Sequence, residues 1–125
     1  MEEKKKVMIV EDDTVLANAL SLTLQNEGYE LSLATDGEEA KKKIQQEIPD
    51  LILLDLLLPI KNGFEVLKAI RQNPETKEIP VVILTNFEQE TSISEGKKLG
   101  AKDYIVKANV DIQEIPKIVK KYLPA

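Results

Sequence analysis

The chain of 125 residues contains no histidine and no cysteine. Without cysteine there is no disulfide framework, no thiol nucleophile and no thiolate metal site. Without histidine the chain lacks the commonest general base and the commonest ligand of transition metals. Any metal ion must therefore be held by oxygen atoms, which favours magnesium, calcium or manganese.

Long apolar runs and an excess of positive charge are also missing. No stretch approaches the roughly 18 apolar residues of a membrane-spanning helix. The opening MEEKKK precedes only four apolar residues and does not resemble a signal peptide. The formal net charge of −5 disfavours a nucleic-acid surface, because duplex binding depends on neutralising phosphates. We therefore expect a cytoplasmic protein that binds neither membranes nor nucleic acid.

Short apolar segments alternate with segments of helical periodicity throughout the chain. The predicted strands are 7–10, 30–34, 51–54, 80–85 and 103–106. The predicted helices are 14–27, 37–47, 62–72, 89–99 and 111–122. Regular alternation of strand and helix predicts a parallel sheet with helices on both faces.

The apolarity of each strand predicts its place in this sheet. The continuously apolar strands at 7–10, 51–54 and 81–84 belong in the middle, and the more polar second and fifth strands belong nearer the edges. The order 2-1-3-4-5 satisfies this and is a common doubly wound order. We predict an α/β fold of the flavodoxin-like type, with five parallel strands and five helices on two faces. We expect one domain over residues 1–125, with its core in 6–123.

Local signals refine two of the helices. Asp13 or Thr14 can cap the first helix, whose apolar stripe includes Leu16 with Val15 beside it. In the last helix, Pro116 should disturb the first half of the segment 111–122.

Polar side chains follow the carboxyl ends of four strands. The segment 11–13 (Glu-Asp-Asp) follows the first strand, Asp55 the third, Thr85 and Asn86 the fourth, and Lys107 the fifth. Open parallel sheets bind ligands outside these strand ends, where the strand order reverses. We therefore expect these side chains to meet at one edge, with the third residue of 11–13 acting as a helix cap rather than as a ligand.

Such a cluster of carboxylates requires positive charge. Two carboxylates about 4 Å apart repel each other by about 4 kcal/mol at an effective dielectric constant near 20. One ammonium from Lys107 cannot balance three of them, whereas a divalent hard cation can. The site therefore predicts Mg²⁺ binding. A carboxylate beside the metal, such as Asp55, can act as a nucleophile and form an acyl phosphate.

The order and spacing of four motifs carry a family resemblance. The chain resembles the receiver domain of two-component response regulators, and in particular the single-domain chemotaxis type, over essentially all of residues 6–123. The motifs are VMIVEDD, LILLDLLLPIKNG, VVILTN and GAKDYIVK.

The resemblance implies a phosphorylation site with a metal ion. Asp55 would accept a phosphoryl group from the phosphohistidine of a sensor histidine kinase or phosphotransfer protein, with Mg²⁺ as cofactor. Asp12 would bind the metal directly and Glu11 through water, together with Asp55 and the backbone carbonyl of Leu57.

The resemblance also implies how the signal leaves the site. Lys107 would pair with the phosphoryl group, beside Asn86, and Thr85 would donate its hydroxyl to it. The inward movement of Thr85 would let Tyr104 move from an exposed to a buried position. The change would reach a downstream protein through the surface of the fourth helix, fifth strand and fifth helix.

Some positions depart from the family pattern. Ala108 follows Lys107, where the family usually has a proline after a cis bond, and Asn86 stands where a small residue is usual. Leu57 and Phe87 are apolar where some members carry polar groups that position water. We therefore predict slow autodephosphorylation.

Other functions fit the sequence less fully. The departures leave open a receiver-like binding module that works without phosphorylation, and the regularity of the predicted elements leaves open an idealised or consensus protein on this scaffold. An aspartyl hydrolase is disfavoured because Leu57 stands where a second acid is expected, so we expect no enzyme with separate substrate turnover. Because the chain ends with the predicted fifth helix, we expect output through partner proteins or through a domain outside this chain.

Overall fold

One parallel sheet forms the centre of the molecule. A computed structural model describes residues 4–123, so residues 1–3 and 124–125 of the predicted domain lie outside the described residues. The strands pair in the order β2-β1-β3-β4-β5, and the predicted class, order and parallel pairing are confirmed. The strands are β1 (Lys6–Val10), β2 (Glu30–Ala34), β3 (Leu51–Leu54), β4 (Val81–Thr85) and β5 (Asp103–Val106).

A helix follows every strand. The helices are α1 (Thr14–Gln25), α2 (Gly37–Glu47), α3 (Gly63–Gln72), α4 (Glu90–Lys98) and α5 (Ile115–Tyr122). Most predicted boundaries are correct to within two residues, and side-chain caps fix the starts of α1, α2 and α3. Asn62, predicted as the first residue of the third helix, is instead the cap of α3, and its side chain accepts a hydrogen bond from the amide of Glu65.

The beginning of α5 was predicted wrongly. Residues Ile112–Glu114 form a short 3-10 turn, and the α-helix begins only at Ile115. Pro116 therefore lies in the first helical turn, where the missing amide hydrogen would have no partner within the helix. The proline suits the start of α5 instead of disturbing its first half.

The apolar strands bury side chains on both faces of the sheet. Met8 and Val10 pack in the core layer that contains residues of α2 and α3, whereas Val7 and Ile9 pack in the layer that contains residues of α1 and α5. Two covered faces explain why β1, β3 and β4 are continuously apolar rather than alternating.

The apolar stripe of α1 is narrower than predicted. Leu20 and Leu24 are buried, but Val15 is 78% exposed and does not join them. Near the other end of the helix, Gly28 has the left-handed φ of +96° that suits a helix terminus. Across residues 4–123, no helix combines the length and apolarity needed to cross a membrane.

Candidate functional site

Three carboxylates meet at the carboxyl edge of the sheet. One oxygen from each of Glu11, Asp12 and Asp55 lies within 4.8 Å of the others. Glu11 and Asp55 are buried, at 3% and 5% exposure, whereas Asp12 is exposed. The cluster therefore combines two desolvated acids with one acid that is open to solvent.

The strand register brings the two buried acids together. Val10 pairs with Leu54 in the parallel ladder, so the next residues, Glu11 and Asp55, leave neighbouring strands side by side. The amide of Asp55 donates to the carbonyl of Val10 over 3.0 Å, which fixes the backbone at this point. The carboxylate oxygen Oδ1 of Asp55 accepts a hydrogen bond of 3.2 Å from the amide of Leu57.

Lys107 supplies a positive charge to both buried acids. Its Nζ lies 2.5 Å from Oε1 of Glu11 and 2.8 Å from Oδ2 of Asp55. Residues 4–123 contain no cis peptide bond, and Lys107–Asn109 form a 3-10 turn. Ala108 in place of the usual proline therefore does not keep the ammonium from reaching the carboxylates.

Burial and charge shift the protonation of this group of residues. Burial raises the pKa of Glu11 to about 7, against hydrogen bonds from Lys107 and the amide of Asp13 that lower it. Burial acts to lower the pKa of Lys107, but hydrogen bonds to Asp55 and Glu11 outweigh it, so the pKa is raised. Lys107 therefore stays an ammonium, and added positive charge at the site would favour the ionised form of Glu11.

The donor set fits a hard divalent cation. The cluster offers three carboxylates, and the ammonium of Lys107 pairs with two of them, Glu11 and Asp55. Oxygen donors in this number are what Mg²⁺ and its relatives bind, with water completing the shell. The exposure of Asp12 leaves the cluster open to solvent on one side, so water and a phosphoryl oxygen can approach.

Asp13 caps a helix, as predicted. Its Oδ1 accepts hydrogen bonds from the amides of Val15 and Leu16, over 3.1 and 3.2 Å. These bonds satisfy two of the free amides at the start of α1. Among the described residues, the carboxylate cluster contains Glu11, Asp12 and Asp55 without Asp13.

The polar residues at the end of β4 and just after it lie at the same edge of the sheet. Thr85 is 1% exposed, and its hydroxyl accepts a long hydrogen bond of 3.5 Å from the amide of Phe87. Asn86 is exposed. Leu57, after β3, has a side chain that is 64% exposed. Roles for Thr85, Asn86 and the carbonyl of Leu57 in binding a metal or phosphoryl group remain predictions.

Tyr104 links β5 to the loop after β4. Its ring is half-buried, and its hydroxyl donates a hydrogen bond of 2.8 Å to the carbonyl of Phe87. Burial and the charge of Asp55 raise the pKa of Tyr104. The sequence named Tyr104 but not its acceptor, because a backbone carbonyl leaves no residue-type signal.

A glycine of α4 makes room for this tyrosine. A Cβ atom at Gly96 would lie 3.2 Å from Cδ2 of Tyr104 and 2.7 Å from Cδ1 of Ile83. The helix can therefore approach the sheet closely at this point. The sequence showed the glycine only as an interruption of the helical pattern.

Comparison with known proteins identifies the family. The family model described as response regulator receiver domain matches residues 7–120. The chain belongs to the receiver domain family. It is 41% identical over 103 residues to the alkaline phosphatase synthesis transcriptional regulatory protein PhoP of Bacillus subtilis. It is 38% identical over 102 residues to the phosphate regulon transcriptional regulatory protein PhoB of Rhizobium meliloti.

These relatives are longer than the chain. Each match covers 82% of this chain but only 42% of PhoP and 45% of PhoB. The chain thus spans less than half the length of the curated relatives it matches.

Solved receiver structures share the whole fold. Vibrio cholerae chemotaxis protein CheY4 has a TM-score of 0.89 and 34% identity, covering 97% of this chain and 100% of that chain. The Mn²⁺-bound form of response regulator Rcp1 has a TM-score of 0.86 and 33% identity, with coverages of 97% and 96%. The phosphorylated cyanobacterial phytochrome response regulator RcpA has a TM-score of 0.87 and 33% identity, with coverages of 98% and 96%. The predicted likeness to the single-domain chemotaxis type is confirmed.

Proposed function

We propose that this receiver is a phosphorylation-dependent switch of a two-component relay, in which Asp55 accepts a phosphoryl group from a partner's phosphohistidine. One observation carries the proposal. Asp55 is buried beside two further acids, and the ammonium of Lys107 touches it at the carboxyl edge of a receiver fold. The phosphorylated relative RcpA supports phosphorylation as the signal.

In the proposed reaction a phosphoryl group passes from the imidazole nitrogen of the donor to the carboxylate of Asp55. An oxygen of the Asp55 carboxylate forms a bond to phosphorus while the bond from phosphorus to the donor nitrogen breaks. The leaving imidazole nitrogen keeps the electron pair, and Asp55 becomes an acyl phosphate. Burial leaves this carboxylate poorly hydrated, and Lys107 holds a positive charge where the phosphoryl oxygens arrive.

Glu11, Asp12, Asp55 and the carbonyl of Leu57 would hold Mg²⁺ at this site. When bound, the ion would neutralise charge on the phosphoryl oxygens. The Mn²⁺-bound form of Rcp1 supports a divalent cation at a receiver site. The role of the chain is to keep these four oxygen donors together and one side of the site open to water.

We assign the switch to Thr85, Tyr104 and α4. The link from Tyr104 to the Phe87 carbonyl supports this, because it joins β5 to the loop that follows Thr85. Of the nine residues of α4, all within the described part of the chain, only Gly96 is buried. No side chain caps the start of α4 at Gln89. A weakly packed, uncapped helix is the element most easily displaced.

The proposed switch requires two partner proteins. The phosphoryl donor is a sensor histidine kinase or a phosphotransfer protein. The downstream protein binds the surface formed by α4, β5 and α5, where displacement of α4 and Tyr104 changes the contact. The chain itself turns over no separate substrate beyond slow loss of its own phosphoryl group.

The test is intact-mass spectrometry after incubation with acetyl phosphate, with and without Mg²⁺. We expect one phosphoryl adduct that requires Mg²⁺ and disappears in Asp55→Asn. Asp50→Asn is the matched control. Asp50 precedes β3 at the opposite end of the same strand, where it accepts a hydrogen bond from the amide of Lys6. The Asp50→Asn variant should be phosphorylated to the same extent as the parent protein. Absence of any adduct, or an adduct that persists in Asp55→Asn, would favour a binding module that works without phosphorylation.

A further inference from the structure

We propose that Gly37 is a positioning residue of the metal site, although it lies on α2 and is not a ligand. Its missing side chain lets the loop after β3 rest on the start of α2. That loop carries Leu57, whose carbonyl is the expected backbone ligand. The inference rests on the proposed function, because it concerns how the Mg²⁺ site keeps its shape.

The approach of the loop to Gly37 leaves no room for a side chain. A Cβ atom at Gly37 would overlap the carbonyl oxygen of Lys61, and it would lie 2.6 Å from Cβ and 2.8 Å from the carbonyl carbon of Lys61. Two of these three atoms belong to the backbone, so rotating a side chain cannot relieve the clash. Any other residue at 37 must push the loop away.

Two polar contacts hold the loop in the same place. The amide of Gly37 donates to the carbonyl of Pro59 over 3.3 Å. Nζ of Lys61 lies 3.8 Å from Oε2 of Glu38, the second residue of α2. The cap of α2 is firm, because Asp36 accepts a hydrogen bond of 2.7 Å from the amide of Glu39. The start of α2 is therefore a fixed support.

The far end of the loop is fixed against the residues that directly follow β3. A Cβ atom at Gly63 would overlap the carbonyl oxygen of Asp55 and lie 2.6 Å from Cα of Leu56. The amide of Gly63 donates to the carbonyl of Leu56 over 2.9 Å. The segment that carries Leu57 is thus held at Gly63 on one side and at Gly37 on the other.

The loop backbone depends on these contacts. Ile60 has a left-handed φ of +70° and is 77% exposed. That conformation is unfavourable for a β-branched residue. Because the side chain is so exposed, its packing offsets little of this conformational cost. The local sequence therefore does not favour this loop shape, and loss of the support at Gly37 should let the segment relax.

The test is Gly37→Ala, with Mg²⁺ affinity measured by isothermal titration calorimetry. We expect the Mg²⁺ dissociation constant to rise about ten-fold, as is typical for residues that orient metal ligands. The Mg²⁺ concentration that half-saturates phosphorylation by acetyl phosphate should rise in parallel. The rate at saturating Mg²⁺ should stay near that of the parent, because Asp55 and Lys107 are unchanged.

Gly28→Ala is the matched control for lost stability. Gly28 has a φ of +96°, so alanine is strained there, but its Cβ would meet nothing within 4 Å. It lies just before β2, at the amino ends of the strands, whereas the site lies at their carboxyl ends. We expect this variant to lose stability while keeping the parent's Mg²⁺ affinity.

A second variant keeps the test possible if Gly37→Ala alone does not fold. If Gly37→Ala does not fold, it is combined with Ile48→Gly, which relieves a left-handed φ of +46° at the end of α2 away from the site. An unchanged Mg²⁺ affinity in the folded variant, with a parent that binds Mg²⁺, would overturn the role of Gly37 alone. A parent that takes up no Mg²⁺ would overturn the proposed function and this inference with it.

Discussion

Nζ of Lys107 lies 2.8 Å from Oδ2 of Asp55 and connects the end of β5 to the end of β3, across 52 positions of the sequence. The same nitrogen contacts Glu11 at the end of β1. One side chain thus bridges strands that are not all neighbours in the sheet. It partly neutralises the edge on which the proposed function depends, and it leaves an excess of negative charge there.

Removal of this ammonium should destabilise the metal-free protein. Lys107→Met leaves Glu11 and Asp55 without their cation, and breaking a buried ion pair costs about 3 kcal/mol or more. Urea unfolding in EDTA measures the loss, and Mg²⁺ should restore more stability to this variant than to the parent. The control is Lys120→Met, whose exposed pair with Glu27 spans 3.9 Å. Equal losses in the two variants would contradict the prediction.

The buried acid Glu11 should make the stability of the metal-free protein depend on pH. Its pKa is raised from 4.5 to about 7, so the folded state holds the proton more tightly than the unfolded state. This contribution is fully present below about pH 4.5 and is lost as the pH rises toward 7, up to about 3 kcal/mol. Glu11→Gln cannot titrate, so its unfolding free energy should change less over this range. If the unfolding free energies of the variant and the parent, measured by denaturant unfolding, change with pH in parallel, this prediction is contradicted.

Glycine at position 60 should stabilise the fold. Ile60 is exposed and left-handed, so Ile60→Gly removes backbone strain and gives up little packing. We expect a gain of about 0.5–1 kcal/mol in thermal or denaturant unfolding, the strain relief being partly offset by the entropy of glycine. Val15→Gly is matched in exposure but lies in a regular helix, and it should lose stability. A loss in both variants would show that the loop is not strained.

A polar group beside the acceptor should speed loss of the phosphoryl group. Leu57 is exposed two residues after Asp55, so Leu57→Asn offers a hydrogen bond to an attacking water. One such bond is worth about 1.4 kcal/mol, or about a ten-fold faster hydrolysis. Ile60→Asn places the same side chain elsewhere in this loop and is the control, so it should not speed hydrolysis. A phosphoryl half-life of seconds in the parent, followed on phosphoprotein gels, would contradict the slow hydrolysis that we predict.

The sequence predicted the sheet and the site for a physical reason. Strand polarity and the rule for strand ends were sufficient to bring Glu11, Asp12 and Asp55 together, because parallel strands end at a common edge. The cap at Asp13 followed from residue type. These features depend on local patterns and on topology.

Features that depend on distant backbone contacts were not predicted. The overlap between Gly37 and Lys61 and the bond from Tyr104 to the Phe87 carbonyl join loops that are far apart in sequence. The exposure of Val15 depends on how α1 lies against the sheet. The start of α5 depends on a 3-10 turn that has the same residue types as a helix.

Locating the phosphoryl group is the most direct test of Asp55 as the acceptor. The protein is phosphorylated with acetyl phosphate and Mg²⁺ and then reduced with borohydride, which converts an aspartyl phosphate to homoserine, and its peptides are sequenced by tandem mass spectrometry. We predict homoserine at position 55 and unmodified Glu11 and Asp12. Aspartate retained at position 55, with the modification on another residue, would contradict the proposal.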